Sequence, residues 1–155
     1  MFRKTIAAAL LATAIAGGGA FPAIAASDAD VNAAIDSNLG NHARYETTIK
    51  AFQQAVTDGH KQDVAAFVRY PIVVSIGGRK RTITSAAAFV KAYGSIMTPD
   101  IVGAVKGQKY EDLFVNYQGV MFGSGEVWIN GICLDRKCKS FVPKVVTIQH
   151  GSSSN

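Results

Sequence analysis

The chain has 155 residues, of which 48% are hydrophobic and 17% charged, with a formal net charge of +5. That length suits one domain, and the apolar fraction excludes wholesale disorder. Two cysteines are too few for a disulfide-dense miniprotein, and Gly and Pro show no period of the kind that marks collagen or repeat architectures.

Met1–Ala25 reads as an export signal. Arg3 and Lys4 form a basic start, Thr5 to Ala16 is a short Ala/Leu-rich apolar run, and Gly17-Gly18-Gly19, Pro22 and Ala23-Ile24-Ala25 lead to a small-residue cleavage point. The run falls short of the roughly 20 apolar residues that a bilayer span needs, which disfavours the alternative, an N-terminal anchor. Cleavage removes Arg3 and Lys4 and lowers the formal net charge to +3. No later stretch approaches a span, so a soluble periplasmic or secreted domain is expected over residues 26–150, with a flexible tail at 151–155.

Export implies an oxidising compartment. Cys133 and Cys138 flank Leu134-Asp135-Arg136-Lys137 between two apolar stretches, which reads as a disulfide across a hairpin tip. The alternative, a redox or metal pair, is weak, because redox motifs place two residues between the cysteines and no His lies nearby.

Along the remaining chain, Ser27 to Ile35 begins a short helix that ends by Gly40. Asn41 then caps the clearest helix, in which Tyr45, Ile49, Phe52 and Val56 form one apolar stripe while Glu46, Lys50 and Gln54 face away. Asp58-Gly59 stops it. A shorter helix runs from Lys61 to about Val68, and Tyr70-Pro71 ends it, since a residue before Pro is pushed out of the helical region. Ile72 to Ile76, Gly77-Gly78 and Arg79 to Thr84 read as a hairpin. Ser85 caps a helix from Ala86 to about Gly94, and Thr98-Pro99 opens another through Lys106. Leu113 to Tyr117, Val120 to Phe122, Val127 to Ile132 and Val142 to Ile148 are strand-like runs with no helix between them, so they pair antiparallel.

This is an α+β order: helices packed on a curved antiparallel sheet. It resembles the cone-shaped, cystatin-like fold of the nuclear transport factor 2-like superfamily, which includes ketosteroid isomerases and polyketide cyclases. The residues that carry the resemblance are Asp58-Gly59-His60-Lys61-Gln62-Asp63-Val64-Ala65-Ala66-Phe67, leading into Tyr70-Pro71-Ile72-Val73-Val74. The resemblance covers about residues 43 to 149. It implies a pocket between sheet and helices, and a homodimer through the outer sheet face as one possible state.

It also implies where isomerase chemistry would sit, and this chain departs from that pattern twice. The helix position of the proton-donating tyrosine falls near Phe52, and Ile72 to Ile76 holds no carboxylate. His42, His60 and His150 all read as peripheral.

Candidate binding residues come from the alternating run Glu126-Val127-Trp128-Ile129-Asn130, which places Glu126, Trp128 and Asn130 on one face. Three readings stay open: a polar pocket beside an aromatic wall, a surface patch, or ordinary core. Tyr70 and Tyr117 are further polar groups on apolar elements, as are Tyr93, Asn116 and Ser75. Glu126 is the one weak catalytic candidate.

Gly123-Ser124-Gly125 opens no helix, so it reads as a tight turn and not as a phosphate loop. Arg79-Lys80-Arg81 and Arg136-Lys137-Lys139 read first as solvated turns. Nucleic acid is not expected of an exported chain at +3, and no metal-ligand spacing or cofactor motif is present. The expected function is a non-enzymatic module that binds a small ligand or a protein partner. The rivals are an isomerase or cyclase acting on a hydrophobic carbonyl compound, with Glu126 as base, and an inhibitor or immunity-type protein directed at a secreted hydrolase.

Overall fold

The computed structural model describes residues 26–151. The leader read at Met1–Ala25 and the tail from Ser152 lie outside the described residues. Three helices come first: α1 (Asp28–Asn38), α2 (His42–Asp58) and α3 (Lys61–Phe67). Ser27 starts α1 by accepting the Asp30 N–H, and the Asp30 carboxylate accepts the Ser27 N–H in return, a reciprocal cap. This helix ends at Asn38, ahead of Gly40, as expected. Asn41 caps α2 through its side-chain oxygen, and Tyr45, Ile49, Phe52 and Val56 are all buried, as their spacing requires. Gly59 ends α2 at φ 70°, a left-handed conformation that glycine adopts without a Cβ clash.

β1 (Ile72–Ile76) and β2 (Arg79–Ile83) form the expected antiparallel hairpin. Its two turn residues, Gly77 and Gly78, both have positive φ. α4 (Ala86–Lys91) and α5 (Tyr93–Ile96) occupy the stretch expected to be one helix. The chain bends at Ala92, and the bend directs Phe89 from one piece and Tyr93 and Ile96 from the other into the core. α6 (Pro99–Gly107) and a short 3-10 turn (Tyr110–Asp112), which had no clear sequence signal, lead into the last strands.

β3 (Phe114–Asn116), β4 (Gly119–Phe122), β5 (Val127–Cys133) and β6 (Phe141–Ile148) make a four-stranded antiparallel meander in chain order. The connection between α3 and β1 runs beside β6: Val68 bridges Val145 in parallel, and the Arg69 N–H donates to the Val145 carbonyl at 2.9 Å. The protein is therefore α+β with antiparallel sheets and helices ahead of them. No helix among the described residues is long and apolar enough to cross a membrane.

The core spans both sheets and the helices. Phe52 packs edge-on against Phe67 and Phe122, and Phe89 lies between Tyr70 and Tyr93. Val120, Val127, Ile129 and Val145 line the inner sheet face and are fully buried. The core residues described run from Val31 to Ile148, and, the Tyr45 and Tyr93 rings apart, no polar or charged residue is buried among the described residues. Burying such apolar area at about 25 cal/mol per Å² is the dominant favourable contribution to folding.

Candidate functional site

β5 alternates as its sequence demands. Val127 and Ile129 point into the core, while Trp128 lies on the outer face. The strand register then builds one continuous row across that face. Phe114 is opposite Met121, Met121 opposite Trp128, and Trp128 opposite Thr147. The Phe114 and Trp128 rings meet edge to face, their centroids 6.4 Å apart, and Phe114 remains 51% exposed. Trp128 is thus a half-buried member of a surface row, not ordinary core.

Beside it is a hollow of about 300 Å³, open to solvent and lined by Gln118, Trp128, Thr147 and Gln149. Gln149 is held there by its side chain, which donates to the Gly125 carbonyl at 3.0 Å. Thr147 reaches this face because of a register shift in the β5–β6 pairing. Trp128 pairs with Thr147 and Ile129 with Val145, leaving Val146 as the extra residue of a bulge. Without it, the period of two would send Thr147 inward along with Val145.

The other sequence-read residues fall in different places. Asn130 is fully engaged as a tie. Its Oδ1 accepts from the Tyr45 hydroxyl at 3.3 Å and from the Gly131 N–H at 2.7 Å, and its Nδ2 donates to the Gln118 carbonyl at 2.9 Å. Glu126 lies in the β4–β5 turn, where its carboxylate accepts the Ser124 N–H and borders Gly151. Tyr117 projects from the β3–β4 turn at 77% exposure. Tyr70 sits apart, before β1, and donates to the Ala65 carbonyl at 2.9 Å; burial pushes its hydroxyl up to about 12. The structure thus brings Trp128, Asn130 and the Tyr117–Gln118 turn together and leaves Tyr70 elsewhere.

Phe114, Met121, Gln118, Thr147 and Gln149 were missed as site residues. Leu113 to Val115 and Val120 to Phe122 are continuous apolar runs, so alternation gives no signal for Phe114 or Met121, and the bulge removes it for Thr147. Tyr45 read only as stripe, yet its hydroxyl is polar and buried, and burial raises its pKa against the opposing hydrogen bond from Gly131.

Two further hollows are open to solvent. One, of about 410 Å³, lies between the start of α2 and the start of β6, where the Arg44 guanidinium stacks over Phe141. The other, of about 310 Å³, lies between α2 and α3 and includes Asp58, His60 and Asp63. There Gln54 holds the Asp58 carboxylate, and His60 Nδ1 is 3.4 Å from Asp63. Among the described residues no three His, Cys, Asp or Glu side chains converge as metal ligands would.

Compared with family models, curated proteins and solved structures, the chain matches none.

Proposed function

We propose that the chain is an exported, non-enzymatic binding module of nuclear transport factor 2-like type that uses the outer face of its four-stranded sheet. One observation carries this reading: the row Phe114–Met121–Trp128–Thr147 leaves aromatic area in water on one side of the sheet. The side facing the helices is filled with Phe52, Phe122, Val120 and Ile129. Large apolar side chains left together at a surface mark interaction sites. Aromatic residues and Met are enriched in such contacts and charged residues depleted.

The filled interior argues against the isomerase reading. Phe52 has no hydroxyl and is enclosed by aromatic rings. Glu126 is at a turn rather than in a cavity, and its carboxylate is bound to a backbone N–H. General acid–base catalysis needs a donor and an acceptor converging on one reacting group. Export is supported by the leader-like first 25 residues and by the Cys133–Cys138 disulfide. The cone assignment is supported by the helix-first order and by the bridge from the α3–β1 connection to β6.

A face of this kind takes another protein surface, whether a partner or a second copy. The test replaces Phe114 with a photo-crosslinking amino acid in the exporting host and places the same group at Val73, an exposed apolar residue on β1, as the control. A discrete crosslinked species from position 114 alone is expected, and its mass separates a second copy from a different protein. Crosslinks of equal yield from both positions would overturn the reading. So would turnover of a small carbonyl compound that Glu126→Gln abolishes.

A further inference from the structure

The β5–β6 tip carries a second surface, independent of the row around Trp128. β4 begins at Gly119, level with Asn130, while β5 continues to Cys133 without that neighbour. At about 3.4 Å per residue, Leu134 stands roughly 14 Å beyond Asn130. The tip is braced twice. Cys133 and Cys138 are joined by a disulfide, and the Leu134 N–H donates to the Ser140 carbonyl at 2.8 Å.

The charges on this tip are arranged asymmetrically. The Asp135 carboxylate is turned into the loop and accepts the backbone N–H groups of Lys137, Lys139 and Ser140 at 2.9, 3.2 and 2.7 Å. Arg136, Lys137 and Lys139 are exposed and form no ion pair among the described residues. Leu134, two residues before Arg136, is 65% exposed. The sole acid thus stabilises the turn, while three cations and one apolar side chain face outward.

From this arrangement we propose that the tip docks onto an anionic lipid bilayer, with Leu134 entering the headgroup boundary and Arg136, Lys137 and Lys139 meeting phosphodiester groups. Charge complementarity selects an anionic partner. The shape selects a bilayer over a protein, because a protrusion of a few residues falls well short of the roughly 800 Å² per partner that a stable protein interface covers. A bilayer accepts a narrow protrusion by local insertion, and the braced backbone loses little freedom on docking. Attraction of each Lys or Arg to an anionic leaflet amounts to about a fivefold change in partition.

The test is co-sedimentation of the chain from Ala26 onward, which carries every core residue among the described residues, with two kinds of vesicle. One is pure phosphatidylcholine; the other is an equal mixture with phosphatidylglycerol. Binding to the mixed vesicles alone is expected, with loss toward 1 M salt, where the screening length falls to about 3 Å. The triple variant Arg136→Ala/Lys137→Ala/Lys139→Ala should lower partition by about a hundredfold, and Leu134→Asn by about tenfold, with circular dichroism and Tm unchanged. Equal partition into both vesicles, or a triple variant that binds like the parent, would overturn the proposal. Saturable binding of a polyglutamate peptide without vesicle binding would assign the tip to an acidic protein and overturn it as well.

Discussion

The Tyr45 hydroxyl donates to Asn130 Oδ1 at 3.3 Å, joining the buried stripe of α2 to β5 at the level where β4 starts. The same oxygen holds the Gly131 N–H. Tyr45→Phe removes one donor and leaves Asn130 with its other partners, so a loss of about 1 kcal/mol is expected. Asn130→Ala strands the phenol and frees the Gln118 carbonyl, and should cost about 1–3 kcal/mol. Urea denaturation of both single variants and the double variant measures their coupling, and additive effects would show that the contact is not made.

Gly131 faces the same pair. An added Cβ would lie 2.9 Å from the Tyr45 hydroxyl and 3.0 Å from the Phe141 ring. Gly131→Ala is therefore expected to lose about 1–3 kcal/mol by overpacking. If thermal melting instead showed it as stable as the parent, the close approach of α2 to β5 would be wrong.

Phe52 is fully buried between Phe67 and Phe122. Phe52→Ala should destabilise by about 3–5 kcal/mol through lost burial and a residual cavity. Phe52→Tyr, which introduces the tyrosine that the isomerase resemblance would call for, places a hydroxyl among aromatic rings and should also destabilise, without producing activity. Chemical denaturation and an enolisation assay read the two effects separately.

The Cys133–Cys138 bridge closes a short loop, so it contributes only about 2 kcal/mol in the chain-entropy model. Cys133→Ser/Cys138→Ser should fold, melt somewhat earlier and keep the Trp128 environment, because the tip lies beyond the row that holds it. Tryptophan emission unchanged in the variant is the confirming result, and a red shift would show that the tip supports the whole sheet.

Alkaline pH should weaken the fold. Burial pushes Tyr70 up to about 12 from the ordinary 10.0, and burial together with the charges of Glu46, Asp28 and Asp36 does the same to Tyr110. The unfolded chain ionises these phenols first. Their contribution is therefore fully present below pH 10 and is lost as pH rises toward 12. Tm should fall across that window, and Tyr70→Phe/Tyr110→Phe should flatten the decline. A double variant with the same alkaline slope as the parent would contradict the burial of these hydroxyls.

Much of the architecture was legible locally. The α2 stripe, the Gly77-Gly78 hairpin, the caps at Asn41 and Ser85, and the meander are all short-range consequences of side-chain spacing and turn chemistry. So was the sharing of one face by Val127 and Ile129, because a strand's period is two; which of the two faces turns inward was not, since that depends on what the sheet packs against. The break at Ala92 was not legible, since either a straight or a bent helix satisfies the run from Ala86 to Gly94. Packing of Phe89, Tyr93 and Ile96 against the rest of the core decides it.

The linear order of residues determines which side chains lie on one face of each element, because that depends only on neighbouring dihedral angles. It does not determine which faces of separate elements meet. Phe114, Met121, Trp128 and Thr147 become one row only through cross-strand register, and Thr147 joins it only because Val146 is bulged out. Register and bulges follow from which pairing buries the most apolar area across distant segments. That long-range choice, made by the folded chain, puts the aromatic row on the outside of the sheet and fills the inside.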